Sequence, residues 1–113
     1  MDCLFCKIAA KQIPSKVVHD DNDVFAFEDI NPQAPVHVLI IPKKHVATLN
    51  DLEKDDCEAL SRVYMAAKKI ALDRGVADSG FRVVANCNAD AGQTVFHLHF
   101  HLLGGRKFGW PPG

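Results

Sequence analysis

Apolar and polar residues alternate along this chain with two different periods, which predict helices in some segments and strands in others. Apolar residues between positions 3 and 10 follow helical spacing and predict a short first helix. A longer amphipathic pattern runs from about residue 50 to residue 74 and predicts a second helix. Asn50 with Glu53 resembles a capping box at its start, and Gly75 supplies the stop.

Five runs of β-forming residues are predicted to be strands. They cover residues 16–20, 24–30, 36–41, 81–86 and 95–103. The links between the first three runs are short, and only one long helix is predicted, so a mostly antiparallel sheet packed on helices fits better than a parallel sheet. The predicted fold class is therefore α+β, with a single domain over residues 3–113.

Composition and charge narrow the class of protein. The chain of 113 residues has a formal net charge of -1 and no long run of either sign, which argues against an electrostatic nucleic-acid partner. Its longest apolar stretch, residues 38–41, is far too short to span a bilayer. The first residues lack the basic region and apolar core of a signal peptide. We therefore expect a cytoplasmic protein with no nucleic-acid or membrane partner.

Three histidines alternate with apolar residues in the predicted fifth strand. Because successive side chains of a strand point to opposite faces, His97, His99 and His101 are expected to line one face while the residues between them enter the core. A neutral imidazole is a competent nucleophile at phosphorus, and a phosphoimidazole intermediate divides one hard displacement into two easier ones. A hydrogen bond from the other ring nitrogen to a backbone carbonyl would fix the required tautomer. The pattern favours a catalytic function over a structural one.

The segment HLHFHLL at 97–103 resembles the H-φ-H-φ-H-φ-φ signature of the histidine-triad (HIT) family. Other segments fall in the family's order and spacing: FCKI at 5–8, FEDI at 27–30, NPQAP at 31–35, IPKKH at 41–45, GQTV at 92–95 and WPPG at 110–113. The resemblance covers essentially the whole chain, and the terminal WPPG is typical of the nucleotide-binding phosphoramidases related to the protein kinase C-interacting type. It implies a single HIT domain that forms a homodimer, in which two five-stranded sheets join into one ten-stranded sheet.

The resemblance also implies an activity. A hydrolase of this branch binds a purine nucleotide such as AMP and cleaves the P–N bond of nucleoside 5′-phosphoramidates through a covalent nucleotidyl-histidine intermediate. His99 would be the nucleophile, and His97 would orient it through its backbone carbonyl. His101 would contact phosphate oxygens, and His37 on the third strand would support the cluster.

Nucleotide contacts are implied in the same way. Asp29 would accept hydrogen bonds from the ribose hydroxyls, and Trp110 would reach the site of the partner subunit. The base pocket would be walled by Phe5, Ile8 and Ile30, and the phosphate would be contacted by Asn86, Gly92 and Thr94. Thr94 stands where the branch usually has serine, and it keeps the hydroxyl. Without the family, Asp29 also fits a solvated strand end, and Asn86 and Gly92 are ordinary loop residues.

Cys3 and Cys6 form a C-x-x-C motif, which has the spacing of metal ligands but supplies only half of a site. The resemblance implies that His45 and His97 complete a Cys₂His₂ site for a structural zinc ion. Catalysis on His99 would require no cofactor. The alternative interpretation is a pair of reduced, packed cysteines.

Two other functions stay open from the sequence. One is a metal-dependent hydrolase in which His97, His99 and His101 are the ligands, although the outer two Cα atoms of such a strand lie about 13 Å apart. The other is a nucleotide sensor or scaffold that uses the same pocket without catalysis. The sequence does not decide between adenine and guanine, nor does it identify the amine part of the substrate.

Overall fold

Seven regular elements and three short 3₁₀ turns follow one another along residues 3–113, the part of the chain that this computed structural model describes. The helices are α1 (Leu4–Ala9) and α2 (Cys57–Asp73), and the strands are β1 (Val17–Asp20), β2 (Val24–Glu28), β3 (Val36–Pro42), β4 (Phe81–Val84) and β5 (Phe100–Gly104). The 3₁₀ turns cover Leu49–Asp51, Lys54–Asp56 and Ala89–Ala91.

The five strands form one sheet in the order β1-β2-β3-β5-β4, and every neighbouring pair is antiparallel. The predicted α+β class with an antiparallel sheet is confirmed. Strands β2 and β4 each end two residues before their predicted C-terminal ends. Strand β5 lies between β3 and β4, so the residues that precede it run close to the end of β3.

Both faces of the sheet are covered, each by one helix. Val24 and Ala26 of β2 pack in the core under α2, whereas Phe25 and Phe27 pack in a second core with α1. Because neither face of β2 meets water, the alternating polar residues of a half-exposed strand are absent from its first four positions. Within residues 3–113, neither helix has the length and apolar character needed to cross a membrane.

Helix α2 begins later than its predicted start near residue 50, and the predicted capping box of Asn50 and Glu53 is wrong. The side chain of Thr48 accepts the backbone N–H of Asn50 at 3.1 Å, and Asp51 accepts the N–H of Thr48 at 3.1 Å. Asp56 then accepts the N–H of Glu53 at 2.9 Å. These side-chain acceptors divide the segment into two separate 3₁₀ turns before the helix starts.

Strand β5 begins at Phe100, five residues later than predicted, because the neighbouring strand β3 ends in a proline. The last pair of β3 and β5 is Ile40 with Phe100, and continuing their register would pair Leu98 with Pro42, which has no N–H to donate to a ladder. The N–H of Leu98 bonds instead to the carbonyl of Val46 at 2.6 Å. Of the three triad histidines, only His101 therefore lies on the regular strand.

Candidate active site

The three histidines of the 97–103 segment lie where the chain enters β5. His97 is fully buried, His99 is 8% exposed and His101 is half-buried. Leu98 and Phe100 face the opposite way, into the core under α2. The predicted alternation of imidazoles and core residues is therefore present, although two of the imidazoles lie outside the strand ladder.

His99 is held by the backbone of its neighbour. Its Nδ1 atom lies 2.7 Å from the carbonyl oxygen of His97. Because a carbonyl only accepts, Nδ1 carries the proton and Nε2 keeps its lone pair. The ring of Phe5 contacts His99 edge-on with 5.1 Å between centroids, which further fixes the plane of the imidazole. An imidazole held in this way has a fixed plane and a free Nε2 lone pair, as a nucleophile requires.

A chain of hydrogen bonds likewise determines the proton position on His101. The backbone N–H of Gln33 donates to Nδ1 of His37 at 3.0 Å, so the proton of the neutral His37 ring is on Nε2. That Nε2 lies 2.9 Å from Nδ1 of His101 and 3.3 Å from a carboxylate oxygen of Asp29. His101 therefore accepts at Nδ1 and carries its own proton on Nε2, where it can donate to a ligand.

Burial keeps these imidazoles neutral. It lowers the pKa of His101 to about 4, and repulsion from His99 and His37 acts in the same direction. Burial also lowers the pKa of His37, against the attraction of the Asp29 carboxylate. At neutral pH both rings are uncharged, so His101 acts as a neutral N–H donor.

A pocket of about 740 Å³ opens beside His37, a volume in the range of small-molecule sites. Apolar side chains of Ile8, Phe27 and Ile30 line it, and Asp29 contributes a carboxylate. Three of the predicted nucleotide contacts, Ile8, Asp29 and Ile30, thus share this pocket. The carboxylate of Asp29 also accepts the N–H of Asn31 at 2.8 Å, which holds it in place at the end of β2.

The other predicted contacts lie elsewhere. Phe5 packs against His99 and Phe27 and is absent from the pocket lining. Asn86, Gly92 and Thr94 belong to residues 85–95, which we name the 85–95 loop and which leads from β4 to the histidines. Trp110 is 84% exposed and does not line the pocket of its own chain.

The two cysteines of the C-x-x-C motif meet His45 and His97 in a second group, the cysteine–histidine cluster. Nδ1 of His97 lies 3.4 Å from Sγ of Cys3 and 3.5 Å from Sγ of Cys6. Nδ1 of His45 lies 3.5 Å from Sγ of Cys6 and 3.3 Å from Nδ1 of His97. All four donor atoms fall within 4.8 Å of one another, so the residues named by the resemblance do come together.

The spacing of this cluster fits a tetrahedral zinc ion. Zn–S bonds of about 2.3 Å and Zn–N bonds of about 2.05 Å place tetrahedral S and N atoms about 3.5 Å apart and two N atoms about 3.3 Å apart. Nε2 of His97 donates to the carbonyl of Pro42 at 2.7 Å, which leaves the Nδ1 lone pair directed at the cluster. These residues could therefore hold zinc, and neither ring nitrogen of His97 remains for a substrate.

A family model described as "HIT domain" matches residues 10–108. The chain belongs to the HIT family. It is 46% identical over 108 residues to the purine nucleoside phosphoramidase of Escherichia coli, covering 96% of this chain and 91% of that protein.

Solved HIT structures have the same fold. A HIT family hydrolase from Legionella pneumophila superposes with a TM-score of 0.97 at 54% identity, covering 99% of this chain and all of that one. A histidine triad nucleotide-binding protein from Candida albicans superposes with a TM-score of 0.82 at 36% identity, covering 97% of this chain and 83% of that one. The resemblance inferred from the motifs is confirmed.

Sequence reasoning missed two groups of this HIT site. The N–H of Gln33 determines the tautomer of His37, and the carbonyl of Pro42 determines the tautomer of His97. Both are backbone groups: every residue carries a carbonyl, and every residue other than proline carries an N–H, so residue type gives no signal for them. Only the sheet register brings them to the imidazoles.

Proposed function

We propose that this HIT protein is a hydrolase that cleaves the P–N bond of purine nucleoside 5′-phosphoramidates through a covalent intermediate on His99. The observation that carries the proposal is the 2.7 Å hydrogen bond from Nδ1 of His99 to the carbonyl of His97, because it leaves Nε2 unprotonated. The name of the Escherichia coli relative, purine nucleoside phosphoramidase, supports the substrate class.

In the first step, the Nε2 lone pair of His99 attacks the α-phosphorus. A new N–P bond forms, and the P–N bond of the phosphoramidate breaks as its nitrogen takes a proton from solvent water and leaves as the amine. The imidazole gains positive charge as this happens, and the carbonyl of His97 at 2.7 Å stabilises that charge through the Nδ1 proton. This interaction strengthens in the transition state and so lowers the barrier.

In the second step, water attacks the phosphorus of the nucleotidyl-histidine and loses a proton to solvent. The bond between His99 and phosphorus breaks, which returns the lone pair to Nε2 and releases nucleoside 5′-monophosphate. The Nε2–H group of His101 would donate a hydrogen bond to a phosphate oxygen in both steps. Its pKa of about 4 keeps that ring neutral, so it supplies a hydrogen bond without adding a second positive charge beside His99.

The pocket beside His37 would bind the nucleoside. Ile8 and Ile30 would supply apolar contacts for a purine base, and the carboxylate of Asp29 would accept hydrogen bonds from the ribose hydroxyls. The phosphate would then lie between His99 and the 85–95 loop. The nucleotide-binding name of the Candida albicans structure supports this class of ligand.

A structural zinc ion in the cysteine–histidine cluster belongs to the same proposal. Held by Cys3, Cys6, His45 and His97, it would tie α1 to the end of β3 and to the residue that orients His99. The ion would supply folding stability there and take no part in the reaction. The donor set and its spacing support this assignment.

The homodimer also remains a proposal. Strand β4 lies at one edge of the sheet, so pairing of two β4 strands would give ten strands and cover an exposed ladder edge. The exposed Phe81 at the start of β4 and the exposed Trp110 are apolar surface that a partner subunit would bury. Light scattering on the purified protein tests the expected mass of two chains.

Trapping the intermediate tests the mechanism directly. The protein is mixed with adenosine 5′-phosphoramidate, quenched in base and examined by mass spectrometry. We expect an adenylyl adduct on His99 in the wild type. An adduct on any other residue would overturn the assignment to His99, and steady turnover with no adduct would overturn the covalent route. Binding without turnover would favour the sensor or scaffold instead.

A further inference from the structure

Gln93 is a buried polar residue that none of the roles above uses. The residue is 6% exposed, and each polar atom of its side chain has a partner. Oε1 accepts the N–H of Asn88 at 2.8 Å. Nε2 donates to the carbonyl of Ala47 at 2.9 Å and to the carbonyl of Val95 at 3.1 Å. One amide group therefore joins three separate stretches of backbone.

Two of these stretches are parts of the 85–95 loop. Asn88 lies near its start and Val95 at its end, so the Gln93 amide links both parts across the loop. The backbone N–H of Gln93 also donates to the carbonyl of Asn88 at 3.1 Å, which closes a ring of two hydrogen bonds between these residues. The third partner, Ala47, lies outside the loop and anchors it to the segment after β3.

Asn88 shows why this restraint is needed. Its backbone has φ 66° and ψ -171°, a conformation that residues other than glycine adopt at a cost. Such a conformation persists only where the surroundings fix both peptide groups. Gln93 bonds to the N–H and to the carbonyl of Asn88, and so supplies that constraint.

We propose that Gln93 is a positioning residue for phosphate binding: its amide holds the 85–95 loop in the conformation that presents Gly92 and Thr94 to the α-phosphate. Both residues are its direct chain neighbours, so any shift of the Gln93 backbone moves them. The proposal deepens the proposed function and rests on it, because the ligand of the loop is taken to be the nucleotide phosphate. It assigns no direct substrate contact to Gln93, whose polar atoms are all engaged.

Two substitutions remove the restraint in different ways. Gln93→Met keeps the approximate volume and loses all three side-chain hydrogen bonds. Gln93→Glu keeps the acceptor for Asn88 but turns a carboxylate oxygen toward the carbonyls of Ala47 and Val95. If the buried charge of Gln93→Glu prevents folding, the neutral methionine variant carries the test. Gln12→Glu is the matched control, since Gln12 is exposed in the turn after α1 and does not line the pocket.

The readout separates phosphate binding from nucleoside binding. Dissociation constants are measured for adenosine 5′-monophosphate and for adenosine, and kcat for adenosine 5′-phosphoramidate. We expect both Gln93 variants to bind the monophosphate about tenfold more weakly and to lose about tenfold to a hundredfold in kcat. Adenosine binding should stay within about twofold. Hydrogen exchange should accelerate in residues 86–95 and stay unchanged in α2.

Equal weakening of both ligands would show a general structural role and overturn the inference, as would faster exchange in the loop with unchanged monophosphate binding. Failure of the proposed function gives a different result. In that case the wild type has no turnover. The ratio of monophosphate affinity to adenosine affinity can still be compared between the wild type and the Gln93 variants, and this comparison tests the role of Gln93. Normal wild-type turnover with Gln93 variants that bind the monophosphate normally would defeat this inference alone.

Discussion

The Nε2 atom of His97 donates a 2.7 Å hydrogen bond to the carbonyl oxygen of Pro42. This bond turns the first imidazole of the triad away from the pocket and directs its Nδ1 atom to Cys3 and Cys6. The carbonyl of the same residue meets Nδ1 of His99. One residue thus belongs to both the cysteine–histidine cluster and the proposed catalytic group, and its side chain and backbone have separate tasks.

Replacing the proposed nucleophile should separate binding from catalysis. His99→Asn is expected to lower kcat on adenosine 5′-phosphoramidate by about a thousandfold or more, because the covalent route is lost. The affinity for adenosine 5′-monophosphate should change only severalfold, since pocket residues such as Ile8 and Asp29 remain. His19→Asn is the control, as His19 pairs with Asp21 outside the site. Near-normal turnover in His99→Asn would refute the mechanism.

The hydrogen-bond chain through His37 predicts a graded response to substitution. His37→Leu removes the donor to His101, which frees that ring to take the wrong tautomer, and kcat should fall about tenfold to a hundredfold. In His37→Gln the amide N–H can replace the Nε2 donor, so this variant should keep more activity than His37→Leu. Steady-state kinetics of the two variants give the comparison. Equal losses would mean that the chain does not determine the tautomer.

The lowered pKa of His101 predicts how stability depends on pH. Its pKa is about 4 in the folded protein against an ordinary 6.5, so between these values the unfolded chain binds more protons. The contribution of His101 to stability is complete above pH 6.5 and is lost as pH falls toward 4, by at most about 3 kcal/mol. The free energy of unfolding, measured with urea, should therefore fall less between pH 7 and pH 5 in His101→Gln than in the wild type. If both proteins lost the same free energy of unfolding, burial could not be lowering the pKa of His101 as described.

The cysteine–histidine cluster predicts a stability effect with little catalytic effect. Purified protein should carry about one zinc ion per chain, and Cys3→Ser should lose the ion and lower the melting temperature. Measurable turnover should remain, because the proposed attack by His99 needs no metal. Cys57→Ser is the control, since Cys57 is exposed. Metal analysis measures the zinc content, and calorimetry measures the melting temperature.

Two results would count against this assignment. Zinc-free protein of unchanged stability would return Cys3 and Cys6 to the interpretation of packed, reduced thiols. Activity strictly proportional to bound metal, with the fold intact, would favour a metal-dependent hydrolase. Three triad ligands on one metal are already disfavoured, because both ring nitrogens of His97 are engaged away from His101.

Much of the site could be predicted because its signals are local in the chain. Alternation of histidines with apolar residues from His97 onward predicted which side chains enter the core, and Leu98 and Phe100 do so. The C-x-x-C spacing predicted a metal half-site, and the family motifs named its other two members. Each of these patterns depends only on residue type and on the period of helices and strands.

Local patterns could not predict where each helix and strand ends, or which nitrogen atom of each imidazole carries the proton. The start of β5 at Phe100 follows from Pro42, which has no N–H with which to continue the ladder toward Leu98. The tautomer of His101 depends on the N–H of Gln33 acting through His37. These contacts join residues that are far apart in the chain, and several involve backbone groups that all residue types share. The sequence by itself therefore determined the sheet, the helices and the set of reactive side chains. The tertiary structure decided which atom of each imidazole carries the proton, because that depends on which donor or acceptor the folded chain brings within hydrogen-bond distance.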